Sequence, residues 1–130
     1  MVIESPRVIP LGVSPALPRV GDVNSYLAVV RDERYWLVDC AGSPIQRLEM
    51  AGLDPLAVEG VFITHFHPDH VYGLPAFILG LYLLQEDRTW TRSIPVCARP
   101  EVLTKIRTMM GLFESQGWPS DVPLDYREIP

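Results

Sequence analysis

Residues 71–84, VYGLPAFILGLYLL, are apolar almost throughout, and this stretch limits what the chain can become. It is shorter than the ~20 residues that cross a bilayer, and Gly73, Pro75 and Gly80 interrupt it. A helix this apolar needs cover over most of its circumference, so the chain must supply a sheet or further helices to bury it. The expectation is a buried helix within a layered α/β fold, with no membrane partner.

The flanking sequence supplies the strands. NSYLAVV (24–30) and RYWLVDC (34–40) are rich in β-branched and aromatic residues and flank the charged turn Arg31-Asp32-Glu33, which predicts an antiparallel hairpin. SPIQRLEMAG predicts a helix, with Ser43 as cap, Pro44 at the first helical position, Gln46 completing a capping box and Gly52 as the stop. VEGVFIT (58–64) predicts a short strand ending at His65, and IPVCA (94–98) another. In PEVLTKIRTMMGLF, Val102, Leu103, Ile106, Met109, Met110 and Phe113 recur at helical spacing, so the methionine pair reads as core. LDYREI (124–129) alternates as a strand does, and prolines cluster towards both ends. The predicted order is β-β-β-α-β-α-β-α-β, a mixed α/β pattern whose helices cover a sheet.

Composition narrows the function classes. Hydrophobic residues make up 48% of the chain and charged residues 21%, the balance of a core-forming globular chain. The formal net charge of -5, with no basic run, argues against a nucleic-acid groove dominated by phosphate contacts. Arg88, Arg92, Arg99, Lys105 and Arg107 read as solvated surface rather than one cationic face. Cys40 and Cys97 are far apart and fit no metal-knuckle spacing. With no signal-like start in MVIESPRVIPLG, free thiols and a cytoplasmic location are expected.

All three histidines of the chain fall within GVFITHFHPDHVYGLP (60–75), as His65, His67 and His70, with Asp69 among them. Residues two apart on an extended segment project to one side, so His65 and His67 can grip one ion. Pro68 then bends the chain, turning Asp69 and His70 towards a neighbouring position. Imidazole nitrogen and carboxylate oxygen suit zinc, and also manganese or iron. The plainer alternative is three histidines satisfying hydrogen bonds near a helix start, with Asp69 as its N-cap. The H-x-H-x-D-H pattern between strand and helix favours a metal site.

These residues carry a family resemblance. VFITHFHPDHVYGLP resembles the signature loop of the metallo-β-lactamase superfamily, whose members fold as an αβ/βα sandwich. NSYLAVVRDERYWLVDCAGSP resembles that family's early hairpin, ending at Asp39, and GLDPLAVEGVFITH its lead-in to the loop. LPAFILGLYLL, IPVCARPEVLTKI and LDYREIP are most similar to the ribonuclease Z and phosphodiesterase branch. The resemblance implies His65 and His67 as ligands of a first zinc ion, and Asp69 and His70 as ligands of a second. It implies Asp39 as a buried support behind the loop; a turn-forming Asp accepting backbone hydrogen bonds after a strand is the equal alternative. The implied activity is metal-dependent hydrolysis by a hydroxide held between two ions, with Asp69 orienting it and taking up a proton. A phosphodiester is the implied substrate. SPALPRVGDVNS departs from the serine- and arginine-containing stretch of the transfer-RNA-processing members, so transfer-RNA maturation is not the expectation.

A catalytic zinc holds about three protein ligands. Split between two ions, these four donors give each only two, and no histidine follows His70. Residues 1–130 are therefore expected to be the N-terminal portion of one metallo-β-lactamase-like domain, the first αβ half, inactive or weak alone. A naturally short chain that meets a second copy, and a non-catalytic metal-binding or assembly module, stand as alternatives. So does a thioesterase or lactonase of the same fold, acting on a small molecule. An uncovered sheet face would drive homo-oligomerisation.

Overall fold

The computed structural model describes residues 5–85, 90, 92–113 and 122–130. Of the residues discussed above, Arg88 lies outside them. Six strands form one mixed sheet in the order β1-β2-β3-β4-β5-β6. They are β1 (Arg7–Gly12), β2 (Tyr26–Arg31), β3 (Arg34–Val38), β4 (Val58–Phe62), β5 (Ile94–Ala98) and β6 (Leu124–Glu128). The β1–β2 and β2–β3 pairs are antiparallel, and β3 through β6 pair parallel. The helices are α1 (Pro44–Met50), α2 (Pro68–Val71), α3 (Leu74–Leu84) and α4 (Pro100–Leu112). The mixed α/β expectation holds.

The β2–β3 hairpin closes through Asp32 and Glu33, both left-handed at φ 51 and 61. That turn matches the right-handed twist of the strands it joins, and it sets the register Val30 opposite Tyr35. Alternation then sorts the sheet. Ala28, Val30, Leu37, Val61, Ile94 and Val96 point to one face and are buried beneath the helices. Leu27, Val29, Trp36, Val38, Phe62 and Cys97 point to the other and remain partly exposed. Among the described residues, the helices thus cover one side of the sheet only.

Two local expectations are corrected. The helix expected over 71–84 begins earlier and is broken. Pro68 opens the short α2, and the chain restarts as α3 after Gly73. Gly73 packs so tightly on the turn after β3 that a side chain there would overlap the Ala41 carbonyl oxygen. Its N–H donates to the Cys40 carbonyl at 3.0 Å, while the Cys40 N–H donates to the His70 carbonyl at 2.8 Å. Nor does α3 bury its whole circumference. Leu74, Phe77, Ile78 and Leu81 are buried, whereas Leu79, Leu83 and Leu84 face outward. Ser43 stands at the start of α1 but in a left-handed conformation with no side-chain capping bond, because the chain is still turning there. Pro44 and Gly52 do punctuate α1 as expected, with Gly52 at φ 76.

Cys40 and Cys97 are free thiols, and Cys40 is completely buried. Met110 lies in the core and Met109 packs against it. Arg99 pairs with Glu101, Arg107 lies over the Tyr126 ring, and Arg92 donates to the Leu56 carbonyl.

Candidate metal centre

The histidine loop sits at the carboxyl ends of β3 and β4. Parallel pairing aligns Val38 with Phe62, so the residues that follow each strand emerge side by side. Asp39 follows β3 in a left-handed conformation, φ 63, and its N–H donates to the Phe62 carbonyl at 2.7 Å. This bend aims its carboxylate, 6% exposed as a residue, at the start of the loop. Oδ1 accepts from the Thr64 N–H at 2.8 Å and lies 2.9 Å from the Thr64 hydroxyl. Oδ2 stands 2.7 Å from His70 Nδ1. A residue 31 positions away in sequence thus holds both ends of the loop.

Those contacts fix where protons sit. An ionised carboxylate only accepts, so the Thr64 hydroxyl donates to Asp39 and its free lone pair faces His65 Nδ1 at 2.9 Å. His65 Nδ1 is then the protonated nitrogen, and its Nε2 carries the lone pair. The same reasoning places a proton on His70 Nδ1 and leaves Nε2 as the ring nitrogen on the side of Asp69. His65 Nε2 faces His67 Nδ1 at 3.1 Å, and His70 Nε2 faces Asp69 Oδ2 at 3.3 Å. The His65 and His70 rings are themselves 4.2 Å apart between centroids. Sequence reasoning missed Thr64. A hydroxyl immediately before the first histidine was its only signal, and a weak one.

All five predicted site residues therefore come together: His65, His67, Asp69 and His70, with Asp39 behind them. The two acceptors His70 Nε2 and Asp69 Oδ2 repel each other unless a proton or a metal lies between them. Two ligands on one tetrahedral zinc stand about 3.3 Å apart, given zinc–nitrogen bonds of about 2.0–2.1 Å. Both donor pairs match that spacing, so the donor set fits a divalent ion in its chemistry. The ligand count stops at two for each pair. Among the described residues, no group of three or more His, Cys, Asp or Glu side chains is arranged to hold a metal ion. Burial beside Asp39 pushes the Cys40 thiol far above its usual range, so this cysteine is no nearby nucleophile. Tyr72, at the end of α2, is raised first by burial and then by Cys40 and Asp69.

A one-sided mixed sheet with a histidine loop at its parallel strand ends defines a metallo-β-lactamase-type half-sandwich. The family model of the Metallo-beta-lactamase superfamily matches residues 18–79, and the chain belongs to that superfamily. Among curated relatives, ribonuclease Z of Salinibacter ruber is 40% identical over 88 residues, 68% of this chain and 27% of that protein. Among solved structures, the short form of human tRNase Z aligns with a TM-score of 0.74 at 23% identity, over 94% of this chain and 44% of that one. A diphosphatase of the PhnP family aligns with a TM-score of 0.70 at 16% identity, over 97% and 51%. The structural likenesses show the fold alone. The chain spans about a quarter of the length of the ribonuclease Z it resembles.

Proposed function

We propose that this chain is the metal-loop half of a metal-dependent hydrolase acting on phosphodiesters. The observation that carries the reading is that Thr64 and Asp39 engage the Nδ1 atoms of His65 and His70, which turns His65 Nε2 towards His67 and His70 Nε2 towards Asp69. Similarity to ribonuclease Z supports the phosphodiester. His65 and His67 would hold one ion, and Asp69 and His70 a second, with zinc the metal that imidazole and carboxylate suit best and manganese or iron also accommodated. Bound there, divalent ions supply the Lewis acidity that polarises a phosphoryl oxygen.

The chain's own residues do the rest. Asp39 and Thr64 keep the loop from rotating, which preserves the ligand nitrogens between turnovers. Asp69 Oδ2 lies at the edge of the donor set and takes up the proton released during attack. The remaining ligands come from outside these donors. Accordingly, residues 1–130 form the N-terminal portion of one domain, and the partly exposed sheet face meets a second layer, from further polypeptide or a second copy. That face also makes a homo-oligomer the expected state of the chain by itself.

Cleavage of bis-p-nitrophenyl phosphate by the zinc- or manganese-loaded chain tests this reading. Weak activity, lost with His67→Ala and with chelator, is expected. Preference for thioester or lactone substrates would replace the phosphodiester. Metal binding with no cleavage of any of them would favour a non-catalytic metal-binding or assembly module, the reading to which two donors per ion also point.

A further inference from the structure

Behind the histidine loop lies an open groove of about 420 Å³. Phe66, Pro68, Val71 and Tyr72 form one wall, and α4 forms the other through Thr104, Lys105, Thr108, Met109 and Leu112. This is not the metal side. His65 and His67 contact each other, whereas Phe66, between them, packs towards the core. The volume falls within the range of small-molecule sites.

The chemistry of the walls selects an occupant. Both threonine hydroxyl hydrogens are committed: Thr104 donates to the Pro100 carbonyl and Thr108 to the Thr104 carbonyl, each at 3.2 Å. Their methyl groups and acceptor oxygens are what remain for a ligand, with no hydroxyl donor. Two aromatic rings, Phe66 and Tyr72, and the Met109 thioether complete a lining suited to a flat ring. A nucleobase would turn its carbonyl and ring-nitrogen acceptors to walls whose hydroxyl hydrogens are already committed, at a cost of about 1–3 kcal/mol for each acceptor left unsatisfied. One charge stands at the rim. Lys105 is the only lysine of the chain, and it makes no ion pair or hydrogen bond among the described residues.

We propose that this slot binds a small aromatic acid, its ring between Phe66 and Met109 and its anionic group at the Lys105 ammonium. Such an occupant braces the loop from the side opposite its imidazoles.

The test is an amide chemical-shift titration of the metal-free chain with 2-naphthoate, its neutral isostere 2-naphthamide, and adenosine monophosphate. Working without metal keeps the outcome independent of the hydrolase reading. Saturable shifts at Phe66, Tyr72, Lys105, Thr108, Met109 and Leu112 are expected with naphthoate. Naphthamide should bind about threefold to fivefold more weakly, a difference that disappears in Lys105→Ala. Thr108→Trp, at an exposed helical position, should fill the slot and remove the shifts while keeping a dispersed spectrum. Any of three results would overturn the proposal: shifts confined to the sheet face around Leu27, Trp36 and Phe62, equal binding of naphthoate and naphthamide, or adenosine monophosphate binding as tightly as naphthoate.

Discussion

Replacing Asp39 by Asn changes one atom and reverses the proton logic of the loop. If the amide oxygen keeps the Thr64 N–H bond at 2.8 Å, the amide nitrogen stands where Oδ2 now lies, 2.7 Å from His70 Nδ1. Two donors then meet. The relief is for His70 to move its proton to Nε2 and accept from the amide, which blocks the nitrogen that faces Asp69 at 3.3 Å. Loss of a charge-assisted bond costs about 1–2 kcal/mol of folding stability. Loss of a support behind a metal ligand weakens metal binding by about 10–100-fold, or ~1.4–2.7 kcal/mol. The shape of the side chain is conserved, and Asn tolerates the left-handed φ of 63, so the variant should fold. Competition of a chromophoric chelator for zinc, run beside a thermal melt, reads both quantities. A folded Asp39→Asn variant with unchanged zinc affinity would remove Asp39 from the site.

Three further outcomes follow from the same structure. Gly73→Ala forces a methyl group against the Ala41 carbonyl at the point where α2 and α3 are pinned to Cys40, and should destabilise the chain by about 3 kcal/mol or more in urea denaturation; a wild-type midpoint would show that this contact relaxes freely. The half-covered sheet face carrying Trp36 and Phe62 should make the isolated chain associate at micromolar concentrations, and Trp36→Lys should weaken that association by light scattering; a monodisperse wild-type monomer would contradict it. Asp22 is held below the usual carboxylate range, first by the Val23 N–H and also by the Ser14 hydroxyl, the Val13 N–H and Arg47. Its folded pKa is thus below the unfolded value of 3.8, so its stabilisation is present above that pH and is lost as pH falls through the folded value. Asp22→Asn should flatten that part of the acid limb, and an unaltered acid transition would refute the assignment.

Local signals survived best from sequence to structure. The hairpin was legible because β-branched runs flank three charged residues, and the four loop donors because they lie within six positions. What depended on distant packing was not. Whether Asp39 supports the loop or merely turns the chain is decided by the parallel β3–β4 pairing, which brings residue 39 to residue 64. Both descriptions apply, since its carboxylate accepts a backbone N–H and also orients His70. The break at Gly73 arises from contact with Ala41, beyond any local periodicity. Ser43 had the composition of a cap, but the preceding turn imposed a left-handed backbone on it. The slot behind the loop joins residues 66–72 to residues 104–112 and could not be seen in either segment alone.

With only three histidines in the chain, zinc titration followed by long-range proton–nitrogen correlation of the imidazoles reads the metal loop atom by atom. Before zinc, His65 and His70 should carry their protons on Nδ1. Zinc should then shift His65 Nε2, His67 Nδ1 and His70 Nε2, and leave the two protonated Nδ1 atoms in place. Imidazoles that stay unchanged at millimolar zinc, or that bind through Nδ1 of His65 or His70, would contradict a cation-holding loop braced by Asp39.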